Sequence, residues 1–165
     1  MVPDHYIVNL INTKSHTVYS DITGFSTSSK GTIPPNLCVT TEKPDIVIID
    51  EQKKTVDIFE LTVPFDTRID KAHELKMDLY SHFTTDINAN YKTTVTAFEI
   101  SSRGQVSRDN KQRLKTLYKF TDKSTKLKTF INNISSLTIT GSYYIFVSQK
   151  EPTWTETSTL SPVFK

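Results

Sequence analysis

The chain has 165 residues, of which 20 are Lys or Arg and 18 are Asp or Glu, giving a net charge of +2. This length fits one domain, and seven Tyr, nine Phe and one Trp argue against intrinsic disorder. The single cysteine, Cys38, excludes an internal disulfide framework and a Cys-rich zinc site.

The sequence has no feature typical of a membrane or secreted protein. The longest strongly apolar run, residues 143–147, is too short to cross a bilayer, and the first residues lack the pattern of a secretory signal. We therefore expect a soluble intracellular protein with one domain over residues 1–150. Within it we expect a core at about 17–120 and a C-terminal helical part at 122–149, followed by a poorly ordered tail at 151–165.

The near balance of charge conceals two blocks of opposite sign. Residues 42–80 contain ten acidic and six basic residues, net −4, whereas residues 101–130 contain nine basic and two acidic residues, net +7. Such a pair of blocks is expected when one part of a protein holds a cation and another part meets phosphate. The alternative is two solvated helix faces.

Alternating strands and helices indicate an α/β fold. Residues 45–50 form an apolar run typical of a buried strand, and residues 55–63 are expected to return antiparallel after a polar turn. A short strand is expected at 17–19 and another at 93–100. A short helix is expected at 6–11.

Three further helices are expected from periodicity and capping residues. Ser107 is predicted to cap a helix that ends at Phe120, and Asp122 to cap one that reaches at least Ser135, while Gly141 leaves its continuation open. The remaining helix, at about 66–88, has an apolar face. That face comprises Ile69, Ala72, Leu75, Leu79, Phe83 and Ile87.

Two carboxylates lie within the predicted hairpin. Asp45 opens the first strand, and Glu60 interrupts the second strand, where a carboxylate is costly unless it is paired, hydrogen-bonded or bound to a metal. The tight turn pairs Asp45 near Phe59, so that Glu60 lies within one residue of the cross-strand neighbour of Asp45. Two carboxylates this close suit a hard cation such as Mg²⁺ or Mn²⁺.

A lysine is predicted to face the same carboxylates. Lys76 falls at the centre of the apolar face of the helix predicted at about 66–88, with Tyr80 one turn further on. The alternatives are a lysine that extends to the helix edge, or a structural ion pair with Glu60.

Pro44-Asp45 followed by Glu60-Leu61-Thr62 resembles the motif of the PD-(D/E)XK nuclease superfamily. The resemblance implies a restriction-endonuclease-like core with a central mixed β-sheet flanked by helices. It also implies that Asp45, Glu60 and the Leu61 carbonyl hold Mg²⁺. Thr62 replaces the motif lysine, and the resemblance implies that Lys76 supplies the missing ammonium. Tyr80 matches the tyrosine of a Gln-x-x-x-Tyr element found in some members.

A second resemblance covers more of the chain, from about residue 19 to 154. This part of the chain is similar to the nuclease-like domain located after the reverse transcriptase in animal non-LTR retroelements. The resemblance implies that Asp21 is a third metal ligand. The alternative is that Asp21 caps a turn. Glu99 is expected either to support the site or to pair with Arg103. The matching segments are residues 19–22, 31–35, 43–47, 59–65, 99–104 and 141–146.

The expected function is therefore that of a divalent-metal-dependent DNA endonuclease derived from a retroelement and located in the nucleus. Asp45, Glu60, Lys76 and Tyr80 are the predicted catalytic residues. The alternative is a degenerate module that binds nucleic acid or a protein without cleaving, and a homodimer is compatible with either. Sequence-independent contacts to the DNA backbone are expected from the basic block. These contacts are assigned to Arg103, Arg108, Lys111, Arg113 and Lys115.

Other enzyme classes have no support in the sequence. The four histidines lack metal-ligand spacing, and the chain contains no P-loop, no Gly-x-Gly-x-x-Gly and no serine nucleophile elbow. Nucleotide hydrolysis and acyl transfer are therefore not expected.

Overall fold

The structure, a computed structural model, describes residues 3–27 and 31–149. The predicted tail at 151–165 lies outside these residues. The described part is an α/β fold with a central mixed sheet flanked by helices, which confirms the predicted fold class.

The sheet has four strands in the order β1-β2-β3-β4: β1 is Thr17–Ser20, β2 is Ile46–Asp50, β3 is Thr55–Thr62 and β4 is Lys92–Glu99. β1, β2 and β3 are successively antiparallel, so the predicted hairpin is confirmed. β4 is parallel to β3. This parallel pairing requires the intervening helices to cross over the sheet.

In the described part of the chain, five α-helices flank the sheet: α1 is Pro3–Leu10, α2 is Ile69–Tyr80, α3 is Phe83–Asp86, α4 is Arg108–Tyr118 and α5 is Leu127–Ser148. A 3₁₀ turn at Asp66–Arg68 precedes α2. Within residues 3–27 and 31–149, no helix combines the length and the apolar character needed to cross a membrane.

The two faces of the sheet bury separate hydrophobic cores. Ile46, Ile48 and Phe59 point to the face covered by α1, α4 and α5, where they join Phe130 and Ile134 of α5. Alternate residues such as Val47 point to the opposite face and join the aromatic side chains of α2 and α3. This alternation follows from the two-residue period of a strand.

The prediction of a single helix over about 66–88 is wrong, because the first helix ends at Tyr80 and a separate short helix follows it. The hydroxyl of Thr84 donates to the Ser81 carbonyl oxygen (2.8 Å), and that of Thr85 donates to the His82 carbonyl oxygen (2.8 Å). Side-chain bonds of this kind compete with continuation of a helix. α3 then ends before Ile87, whose backbone is extended.

The predicted apolar face of this helix is also partly wrong. Leu75 and Leu79 are 60% and 49% exposed. The side of α2 that faces the sheet carries His73, Lys76 and Tyr80 instead, because the first two meet buried carboxylates. Contacts with the buried carboxylates Glu99 and Glu60 therefore fix the rotation of α2 about its axis.

The two C-terminal helices agree with the predictions only in part. The Ser107 side chain accepts a hydrogen bond from the Asn110 N–H (3.1 Å), which confirms the predicted cap of α4. The Asp122 cap is wrong, since the Asp122 carboxylate accepts from the Ser124 N–H (2.9 Å) in a turn. α5 begins only at Leu127 and continues through Gly141 to Ser148.

Candidate functional site

Asp45 and Glu60 meet at one end of the sheet. Ile46 pairs with Phe59, one position from the predicted register, so that Asp45 lies opposite Glu60. The Asp45 N–H donates to Glu60 Oε2 (3.0 Å), and the Leu61 N–H donates to Asp45 Oδ2 (2.8 Å). Each carboxylate is thus held by the backbone of the neighbouring strand, which orients both side chains before any ligand binds.

Lys76 of α2 reaches the same carboxylate pair. Its Nζ lies 2.5 Å from Glu60 Oε1, with side chains 30% and 3% exposed, respectively. The predicted placement of Lys76 against the sheet is confirmed. Thr62, at the motif-lysine position, has a buried Oγ1 without a hydrogen-bond partner among the described residues. The ammonium of the site therefore comes from the helix and not from the strand.

Tyr80 lies one helical turn beyond Lys76 and is buried. The Lys76 Nζ is 5.6 Å from the centre of the Tyr80 ring, close enough for a cation–π contact. Burial, followed by the negative charges of Glu60 and Asp45, raises the pKa of Tyr80 to about 12. The phenol therefore stays protonated at neutral pH and is suited to donate a hydrogen bond.

A third carboxylate, Asp4, was missed by the sequence analysis. It lies in the first turn of α1, and its Oδ1 is buried without a hydrogen-bond partner within the described residues. Asp4 lines a cavity of about 240 Å³ together with Ser20, Asp21 and Asp45. The helix predicted at 6–11 in fact begins at Pro3, and Pro3-Asp4 is the sequence signal for this earlier start, because proline and acidic residues are favoured in the first turn of a helix.

The predicted metal ligand Asp21 borders this cavity from the solvent side. Its carboxylate is 63% exposed and lies 3.3 Å from the Lys43 ammonium. The fold therefore brings together three of the predicted ligands, Asp45, Glu60 and Leu61. Asp21 lies at the edge of the cavity, where its carboxylate pairs with the Lys43 ammonium. Its assignment as a ligand stays a prediction.

The electrostatics of the site fit a divalent cation. Burial, followed by the charges of Asp4 and Glu60, raises the pKa of Asp45 to about 8. Burial and the charge of Glu60 raise the pKa of Asp4 to about 6. Burial is the larger cause of both shifts, and the neighbouring carboxylates add to it, while the Lys76 ammonium that pairs with Glu60 only partly offsets them at Asp45.

The donor set also fits the chemistry of such a cation. Mg²⁺ prefers oxygen ligands and is held by one or two carboxylates with several waters, rather than by a complete protein cage. In residues 3–27 and 31–149, no group of three or more His, Cys, Asp or Glu side chains is arranged as a ready-made metal site. Asp45 and Glu60, with Asp4 nearby, are the residues that would hold the ion.

A second charged cluster lies beside the first, at the end of β4. Glu99 is 1% exposed; its Oε1 is 3.0 Å from His73 Nδ1, and its Oε2 accepts from Arg113 Nη1 (3.3 Å). Of the two alternatives for Glu99, the pairing with Arg103 is wrong, because Arg103 pairs with Asp66, and the supporting role stays a prediction. The cluster connects β4 to α2 and α4.

The five predicted nucleic-acid contacts separate into two groups. Arg103 and Arg113 are ion-paired with Asp66 and Glu99, respectively. Arg108, Lys111 and Lys115 are exposed and border one groove between α4 and α5. All five remain predicted contacts, but only the latter three present free cationic groups within the described part of the chain.

No protein-family model matches the chain, and a search of curated proteins finds no significant match.

Proposed function

We propose that this protein is a divalent-metal-dependent DNA endonuclease that hydrolyses phosphodiester bonds at the Asp45–Glu60 end of the sheet. The observation that carries the proposal is the convergence of Asp45 and Glu60 with the Lys76 ammonium. They come from a loop, a strand and a helix that the fold brings to one place. The resemblance to PD-(D/E)XK nucleases, and to the domain that follows retroelement reverse transcriptases, supports this choice and a nuclear location.

In this proposal, Asp45 and Glu60 hold Mg²⁺ or Mn²⁺, and Asp4 adds negative charge beside them. A bound divalent cation supplies Lewis-acid polarisation of a phosphoryl oxygen and lowers the pKa of water. Lys76 stabilises the negative charge that develops on the phosphoryl group, since its ammonium is already aimed into the site. Tyr80 stays neutral and supports Lys76 through its ring.

A metal-dependent nicking assay on supercoiled DNA tests the proposal. We expect wild-type protein to nick the plasmid with Mg²⁺ or Mn²⁺ and not in a chelator. Asp45→Asn and Glu60→Gln should lose about a hundredfold or more in rate while they remain folded. Asp78→Asn, at an exposed position of α2, is the matched control and should retain activity. A folded wild-type protein that cleaves neither duplex nor branched DNA with either metal would overturn the proposal.

The second candidate is a binding module that keeps this fold without cleaving. The close Lys76–Glu60 pair favours it, because a lysine that neutralises the glutamate directly also satisfies the buried charge. Salt-sensitive DNA binding that is unchanged by Glu60→Gln, in a protein that never cleaves, would support this candidate.

A further inference from the structure

The groove between α4 and the first turns of α5 has features that the catalytic proposal does not use. It has a volume of about 490 Å³. Four cationic residues border it, and Leu127 and Ile131 are half-buried at its base. The cationic residues are Arg108, Lys111, Lys115 and Lys128.

The cationic groups of this α4–α5 groove are free to bind an external anion. Within residues 3–27 and 31–149, none of the four side chains forms an ion pair or a hydrogen bond, and the groove has no acidic residue in its lining. Arg108, Lys111 and Lys115 are three and four residues apart, so they lie along one side of α4 over roughly 10 Å. This extended row suits consecutive phosphates of one strand rather than a single small anion.

The remaining lining residues indicate more than phosphate binding. The side-chain amides of Gln112 and Asn132 open into the groove and form no hydrogen bond within the described part of the chain. Amides of this kind recognise the edges of bases, while Leu127, Ile131 and the Arg108 guanidinium offer surfaces for the face of a base. In a duplex the bases are stacked on one another, so that Leu127 and Ile131 would have no exposed base face to contact.

We propose that the α4–α5 groove binds a single-stranded polynucleotide, with phosphates on the four cationic groups and an unpaired base over Leu127 and Ile131. This inference rests on the proposed function in one respect: it names a substrate with an unpaired strand for the Asp45–Glu60 site. The first turn of α4 lies at the end of the sheet that carries the Asp45–Glu60 site, because the Asn110 side chain accepts a hydrogen bond from the Glu99 N–H at the end of β4 (3.0 Å).

Fluorescence anisotropy in a chelator tests the inference without any need for cleavage. The probes are a short labelled single-stranded DNA, the RNA of the same sequence, the blunt DNA duplex and an abasic DNA strand. We expect the single strands to bind about tenfold tighter than the duplex at equal salt. The ratio between DNA and RNA shows which polynucleotide the groove prefers.

Two sets of variants separate phosphate contacts from base contacts. Lys111→Met and Lys115→Met should each weaken single-strand binding several-fold and reduce the slope of log K against log salt by roughly 0.7. The double variant Gln112→Ala/Asn132→Ala should weaken binding of the normal strand about threefold or more and leave the abasic strand unchanged. Lys71→Met, at an exposed position of α2, is the control and should bind as wild type.

The outcomes distinguish this inference from the proposed function. Duplex binding equal to or tighter than single-strand binding would overturn the inference, as would unchanged binding by both lysine variants. If the binding inference fails in this way but metal-dependent nicking is still observed, the proposed endonuclease activity stands. Single-strand binding with the expected variant effects, in a protein that cleaves no DNA, would support the proposed role of the groove and overturn the proposed endonuclease activity.

Discussion

The Lys76 ammonium of α2 lies 2.5 Å from the Glu60 carboxylate of β3, and this pair joins a helix to a central strand of the sheet. Glu60 is 3% exposed, so the pair is largely shielded from water on the strand side. The same contact anchors α2 and supplies the positive charge of the candidate catalytic site. Stability and activity are therefore coupled at Lys76.

Lys76→Met should destabilise the protein by about 3 kcal/mol, because it leaves a buried carboxylate without its cation. Urea denaturation at neutral pH measures this. The double variant Lys76→Met/Glu60→Gln should recover most of the loss, since the unpaired charge is then gone. The exposed Lys71→Met serves as a control with a change below about 0.5 kcal/mol.

Lys76→Met should also abolish metal-dependent cleavage at a temperature where the variant is folded. The physical reason is the loss of the ammonium that stabilises negative charge on the phosphoryl group. Single-turnover cleavage measures the effect, and circular dichroism confirms the fold. Cleavage at the wild-type rate would show that the pair is structural only.

Asp4→Asn should weaken the binding of Mn²⁺ by roughly tenfold, because one negative charge beside the metal ligands is removed. Isothermal titration calorimetry measures this affinity. Asp70→Asn, an exposed position in the first turn of α2, is the matched control. Equal Mn²⁺ affinity in wild type and Asp4→Asn would place Asp4 outside the metal site.

The stability of the metal-free protein should fall as the pH rises from about 4 to about 8. The pKa of Asp45 is about 8 in the folded protein against an ordinary value of 3.8, so the folded state retains a proton that the unfolded state releases over this range. Asp45→Asn removes this dependence. It should therefore be more stable than wild type at about pH 8 by roughly 2 kcal/mol, and nearly equal to it at about pH 4.

Asp4 should add to this pH dependence in the same direction, up to about pH 6, where its carboxyl ionises in the folded protein. Urea titrations in a chelator at several pH values measure both contributions. A difference between Asp45→Asn and wild type that stays constant with pH would contradict the raised pKa of Asp45.

Substitution of Arg113 should lower stability and substitution of Lys111 should lower nucleic-acid affinity, although both residues are predicted nucleic-acid contacts. Arg113→Met removes one of the two side-chain partners of the buried Glu99 and should cost about 2 kcal/mol of stability with little change in nucleic-acid affinity. Lys111→Met should keep its stability and lose affinity. Thermal unfolding and anisotropy measured on both variants test this, and a large loss of affinity in stable Arg113→Met would restore Arg113 as a nucleic-acid contact.

Local sequence patterns are sufficient to predict the hairpin and the closeness of its two carboxylates. Asp45 and Glu60 are joined by a short polar turn, so the strand period and turn length place them side by side to within one residue. Lys76 was also predictable, because a helix that packs on the sheet has one inward face and Lys76 falls within it. These features depend on contacts between neighbouring elements of the chain.

The predicted apolar face of α2 is wrong because contacts with residues distant in the sequence override its local periodicity. Leu75 and Leu79 belong to the apolar face by periodicity, but the pairs that His73 and Lys76 form with Glu99 and Glu60 rotate α2 so that both leucines are exposed. Burying unpaired carboxylates would cost more than leaving two leucines partly in water.

The sequence by itself determined the α/β class, the β2–β3 hairpin, the Asp45–Glu60 pair and the inward lysine, because short-range geometry controls each of them. Only the tertiary structure decided that Asp4 joins this pair, that Glu99 and Arg113 form a separate cluster, and that three of the five predicted basic contacts border one groove. Those relationships depend on how α1, α4 and α5 pack against the sheet. That packing sets distances between residues far apart in the chain, and no local period encodes them.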